Sequence, residues 1–69
     1  MYVSTTISED YVFQGFGTTE DEASNAMVEE ISEFLGGDYT LEEIAQDRTF
    51  MPIEIQKVVL GHGITSVRY

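Results

Sequence analysis

"FQGFGTTEDEASNAMVEEISEFLGG", residues 13–37, contains a change of period. Up to Phe16 the residues suit a strand: Tyr11, Phe13 and Gly15 fall on one face, Val12 and Phe16 on the other. Gly15 and Gly17 punctuate the end of that strand. Thr19 followed by Glu22 then forms a capping box, with Glu20, Asp21 and Glu22 at the positive end of a helix dipole. Beyond it Ala23, Met27, Ile31 and Phe34, flanked by Val28 and Leu35, recur at helical spacing. Gly36-Gly37 supplies a stop. The stretch predicts a strand that delivers the chain into a helix over 20–35.

Upstream, "YVSTTI" (2–7) is a second β-branched run, joined to "YVFQGF" (11–16) by a turn around "SED", which suits an antiparallel hairpin. Val3, Thr5 and Ile7 share one of its faces. Downstream, Thr40 with Glu43 repeats the capping box and predicts a shorter helix, with Leu41, Ile44 and Ala45 inward and an end near Arg48. "MPIEIQKVVLG" (51–61) fits two templates. Ile53, Ile55 and Val59 share the odd positions of a strand, while Met51, Ile55, Val58 and Val59 form a helical stripe. Pro52 at a first turn and Gly61 at an end tip the expectation to a short helix. "ITSVRY" (64–69) is a strand expected to pair with the hairpin. The whole chain, 1–69, is thus expected to be a single α+β domain. Its antiparallel three-stranded sheet, the N-terminal hairpin plus the C-terminal strand, packs against one long and one or two short helices.

A chain of 69 residues buries only about 60% of its unfolded surface, so the core is small. A hydrophobic fraction of 42%, with four Phe and four Tyr, is more than a disordered acidic tail carries. There is no cysteine, hence no disulfide framework and no thiolate metal site. Neither a secretory leader nor an apolar run near the roughly 20 residues of a bilayer span is evident. The expectation is a cytoplasmic protein. Charge is the extreme quantity: 13 acids against Arg48, Lys57 and Arg68 give a formal −10. Such a surface repels nucleic acid and anionic membranes, and favours a basic partner.

Nothing in the sequence reads as catalytic. His62, in "GHG", is the single histidine and has no nucleophile or orienting group at a recognisable spacing. So short a chain leaves little room for a substrate cleft beside a core. "GGDYTLEE" lacks the alternating oxygen ligands of a calcium loop, and one histidine without cysteine leaves no zinc pattern. No enzyme activity, cofactor, metal site or small-molecule substrate is expected.

The acids themselves carry the most information. Residues 18–47 hold ten of them and no lysine or arginine. At about 100° per residue, Glu22, Glu29 and Glu33 fall within about 40° on the first helix, with Glu30 nearer the apolar stripe. Glu22 to Glu29 and Glu29 to Glu33 are about 10 and about 6 Å along the axis, comparable to the phosphate spacing along a DNA strand, of order 6–7 Å. Glu42, Glu43 and Asp47 on the second helix extend the row. No lysine sits four residues away to neutralise any of them, and like charges at that spacing cost a few tenths of a kcal/mol. Tyr39, between Gly37 and the Thr40 cap, is a candidate aromatic anchor beside the acids. Tyr2, Tyr11 and Tyr69 suit sheet packing. The competing interpretation is a solvated face that only confers solubility.

"GFGTTEDEA" (15–23) resembles the strand-to-helix junction of double-stranded RNA-binding domains, over about residues 11–35. Where that family places paired lysines for phosphate, this chain has Glu20 and Asp21, so no RNA contact is carried over. Size, charge and the ββα-rich layout together resemble the small acidic inhibitors encoded by phages and mobile elements, among them anti-CRISPR proteins and other DNA mimics. That resemblance implies a stoichiometric inhibitor acting in the host cytoplasm. It would dock on the Lys/Arg-lined channel of a nucleic-acid-binding complex, such as a CRISPR effector, with Glu22, Glu29, Glu30, Glu33, Glu42, Glu43 and Asp47 standing in for phosphates. Two other classes fit the composition: a regulatory adaptor on a basic protein such as RNA polymerase, which need not displace nucleic acid, and an acidic structural domain without a specific partner.

Overall fold

The computed structural model describes residues 1–59 and the backbone of 64–68. His62 and Tyr69 lie outside the described residues. In chain order the elements are β1 (Tyr2–Ser8), β2 (Tyr11–Gly17), α1 (Glu20–Leu35), α2 (Leu41–Gln46), β3 (Glu54–Val58) and β4 (Ile64–Arg68). The strands form one antiparallel sheet in the order β2-β1-β3-β4. The α+β class holds, with the hairpin and β3 making a three-stranded antiparallel unit under one long helix and one short one.

Two details depart from the sequence expectation. The segment expected to form a third helix is β3, and the C-terminal strand pairs with β3 instead of with the hairpin. The reason is tertiary. β1 has two edges and β2 occupies only one; the segment after Pro52 fills the other, pairing Ser4 with Ile55 and Thr5 with Glu54. Ile53 and Ile55 are thereby buried, as period-2 alternation requires. A helical stripe would instead have buried Met51, which is 58% exposed.

The β1–β2 turn is closed by Glu9 and Asp10, between the paired residues Ser8 and Tyr11. Glu9 has φ 55°, the left-handed conformation that two-residue hairpins demand at their first position. Both helices start as the sequence predicts. Thr19 Oγ1 accepts from the Glu22 amide at 3.1 Å, and Thr40 Oγ1 accepts from the Glu43 amide at 3.2 Å. Gly36, at φ 75°, ends α1 in a left-handed cap whose amide donates to the Ser32 carbonyl at 2.9 Å.

Helix α1 lies directly on β2. A Cβ at Gly15 would overlap the backbone of Ala23, Ala26 and Met27, and one at Gly17 would overlap the backbone at Glu22 and Ala23. Gly15 is paired with Ser4 on β1, so a glycine and a serine make the floor on which Met27 rests. The Ser4 hydroxyl donates to the Met27 sulfur at 3.4 Å, and Thr6 donates to the Met51 carbonyl at 2.7 Å. At Ser4 and Thr6 the core-facing side of β1 is therefore small and hydroxylic, and the apolar volume comes from Phe13, Met27, Ile31, Ile44, Phe50, Ile53 and Ile55. Phe34 is 55% exposed but its ring packs at a tilt on Tyr11 at 4.6 Å and edge-to-face on Phe13 at 5.6 Å, closing the far end of α1 against β2.

Candidate acidic surface

With Ala23, Ser24, Met27 and Ile31 buried, Glu29, Glu30 and Glu33 are left exposed on the far side and one flank of α1. The three line one open depression of about 630 Å³, together with Asp38 and Tyr39 from the following loop and with Gln14 and Phe16 of β2. Among the described residues none of the three has a cation or a hydrogen-bond donor as a side-chain partner. The α1 end of the expected row is thus assembled in space, and Asp38 joins it. Sequence reasoning passed over Asp38 because it belongs to no helix; its position just after the Gly36-Gly37 stop is the signal that returns it to the α1 surface.

The other acids are placed differently. Glu22 is tied to the start of α1: its carboxylate accepts from the Thr18 hydroxyl at 2.9 Å and from the Thr18 amide at 3.4 Å. The box therefore closes one residue earlier than a strict reciprocal bond to Thr19 would. Glu42 and Glu43 are exposed in the first turn of α2, where the helix dipole favours negative charge. Asp47 caps the end of α2 and turns the chain, accepting from the Thr49 amide at 2.9 Å and from its hydroxyl at 2.8 Å. The amide bond first, and then the hydroxyl bond, hold the Asp47 carboxyl below its usual range. None of these four borders the depression beside Glu29, Glu30 and Glu33.

Tyr39 is half-buried. Its ring packs on the core and against Gly37, and its amide donates to the Ser32 hydroxyl at 3.1 Å. It fixes the loop after α1 and offers the depression only part of its ring. The described cationic side chains, Arg48 and Lys57, are exposed and belong to the α2–β3 connection and to β3. Among the described residues no group of three or more potential ligands is arranged to hold a metal ion, and no helix is long and apolar enough to cross a membrane. Comparison of the chain with protein-family models, with curated proteins and with solved structures returned no match.

Proposed function

We propose that the protein is a stoichiometric inhibitor, an anti-CRISPR-like DNA mimic. Its acidic helical surface occupies the basic nucleic-acid site of a host defence or nucleic-acid-processing complex in the host cytoplasm. One observation carries the reading: Glu29, Glu30 and Glu33 converge with Asp38 on one open surface of a capped helix, without a cation among their described neighbours. A helix selected for stability alone would pair these acids with lysines four residues away. Glu29 and Glu33 are spaced like neighbouring phosphates, and Glu22, Glu42, Glu43 and Asp47 add to the net negative field of the protein. Such a field raises the on-rate toward a Lys/Arg-lined channel, and the few carboxylates desolvated on docking slow release.

The test starts from a nuclease-treated capture on the tagged protein from host lysates, at low and at high salt. The captured complex is then loaded with labelled nucleic acid, and displacement by the free protein is followed. Expected is stoichiometric displacement by the wild type, weakened by orders of magnitude in the E29Q/E30Q/E33Q triple variant. Displacement that the triple variant performs equally well sinks the acidic-surface reading. Binding to a basic protein that leaves its nucleic acid in place assigns the protein to the adaptor class instead.

A further inference from the structure

β2 is an edge strand, and the structure shows which of its backbone groups no described strand pairs with. The carbonyls of Met1, just before β1, and of Ile7 within it accept from the amides of Val58 and Met51, on the β3 side. The alternation of an antiparallel strand then turns Tyr2, Ser4, Thr6 and Ser8 toward β2. Their partners Gly17, Gly15, Phe13 and Tyr11 take the inward bonds. Val12, Gln14 and Phe16 consequently present their N–H and C=O groups outward, where among the described residues no strand pairs with them. All three are exposed. The usual protections of such an edge are missing: β2 pairs with β1 over seven consecutive residues without a bulge, and it contains neither lysine nor proline.

What overhangs this edge selects the occupant. Because Gly15 seats α1 on β2, the flank of α1 that carries Ala26, Glu30 and Glu33 stands over the outer side of β2, in the depression shared with Gln14 and Phe16. We infer that the outer edge of β2 accepts an extended, lysine- or arginine-rich polypeptide segment as an added strand. Main-chain bonds to Val12, Gln14 and Phe16 hold that segment, and its alternate side chains reach Glu30 and Glu33. Alternate residues of a strand are about 6.6–6.8 Å apart and Glu30 and Glu33 are about 4.5 Å apart along α1, a difference that long lysine or arginine side chains span, so successive basic side chains meet successive carboxylates. A second copy of this chain is the disfavoured guest. Pairing β2 with β2 about a two-fold axis puts both α1 helices on the same face and brings their acids together. The same carboxylates therefore guard the edge against self-pairing and attract a basic strand. The inference rests on the proposed function only for the basic character of the partner, and names the partner's element and the mode of contact.

The probe is a labelled peptide alternating lysine and valine, titrated into the full chain at low salt, beside the same peptide N-methylated at alternate residues on the edge that would pair. Expected is binding of the parent peptide, slower amide hydrogen exchange at Val12, Gln14 and Phe16, and affinity at least about tenfold weaker for the N-methylated peptide. Gln14→Pro removes one outward N–H, leaves the β1–β2 bonds in place and gives up an exposed side-chain bond to Thr5, and it should weaken the parent peptide by a similar factor. Equal binding of the two peptides, no exchange protection on β2, or no peptide binding at all overturns the inference, as does a β2-dependent dimer of the protein alone. Nucleic-acid displacement that survives Gln14→Pro while failing in the E29Q/E30Q/E33Q variant would keep the proposed function and reject the added strand.

Discussion

Gly15 sets how close α1 lies to the sheet. The helix backbone at Ala23, Ala26 and Met27 occupies the space its Cβ would need, and backbone cannot swing aside as a flexible side chain can. Gly15→Ala must therefore lift α1 off β2 and open the layer in which Met27 and Ile31 are buried. The expected loss is about 3 kcal/mol or more, read as a lower denaturant midpoint. Glu9 is the opposite case. It holds φ 55° without being glycine, in a turn that favours glycine at that position. Glu9→Gly should raise stability by about 0.5–1 kcal/mol, net of the extra freedom glycine has in the unfolded chain. At Asp47 the sign follows from the bonds to Thr49, which depress the folded carboxyl below its ordinary value. A depressed folded value gives a contribution present above the unfolded value and lost as pH falls through the folded one. Acid titration of stability should therefore show a shallower limb below about pH 4 in Asp47→Asn than in the wild type.

At the scale of elements, the two threonine caps are the most local features and the easiest to test. Thr19→Ala should cost about 1 kcal/mol and lower the midpoint of unfolding, while leaving the acidic surface chemically unchanged. That substitution serves as a stability control for the glutamate variants. Those caps, the helix 20–35 and the hairpin were legible in the sequence because each is decided within a few residues: a threonine three positions before a glutamate, a left-handed glycine stop, two β-branched runs across a short turn. β3 was not legible. Pro52, the spacing of Met51, Ile55, Val58 and Val59, and Gly61 satisfy a helix locally, and only the vacant edge of β1 makes the strand the better outcome. Gly15 and Gly17 were visible as punctuation, but their need for close helix contact depends on the Ser4–Gly15 pairing, a register that only the assembled sheet defines. The same is true of the candidate surface. Helical periodicity put Glu22, Glu29 and Glu33 on one face with Glu30 nearer the apolar stripe; the separation of Glu22 and Asp47 into local hydrogen bonds required the loops around Thr18 and Thr49.

At the scale of the molecule, a formal charge of −10 on 69 residues works against compactness and in favour of encounter, and added salt separates the two effects by sign. Screening shortens the reach of each charge from roughly 30 Å at ~0.01 M salt to roughly 10 Å at ~0.1 M. Glu29, Glu30, Glu33 and Asp38 repel one another across a single depression, so screening relieves the folded state more than the extended unfolded chain. Thermal stability should therefore rise with sodium chloride over this range, measured as an increase in Tm. Binding to a basic partner should weaken over the same range, chiefly through a slower association rate, because steering is lost before short-range contacts are. The E29Q/E30Q/E33Q variant provides the cross-check: its Tm should start higher and depend less on salt, and its association rate should start lower and depend less on salt. A triple variant whose Tm and association rate both follow the wild-type salt dependence would mean that the three glutamates are dilute solvated charges with no collective role. Opposite displacement of the two quantities would show that the repulsion opposing folding and the field attracting the partner arise from the same carboxylates.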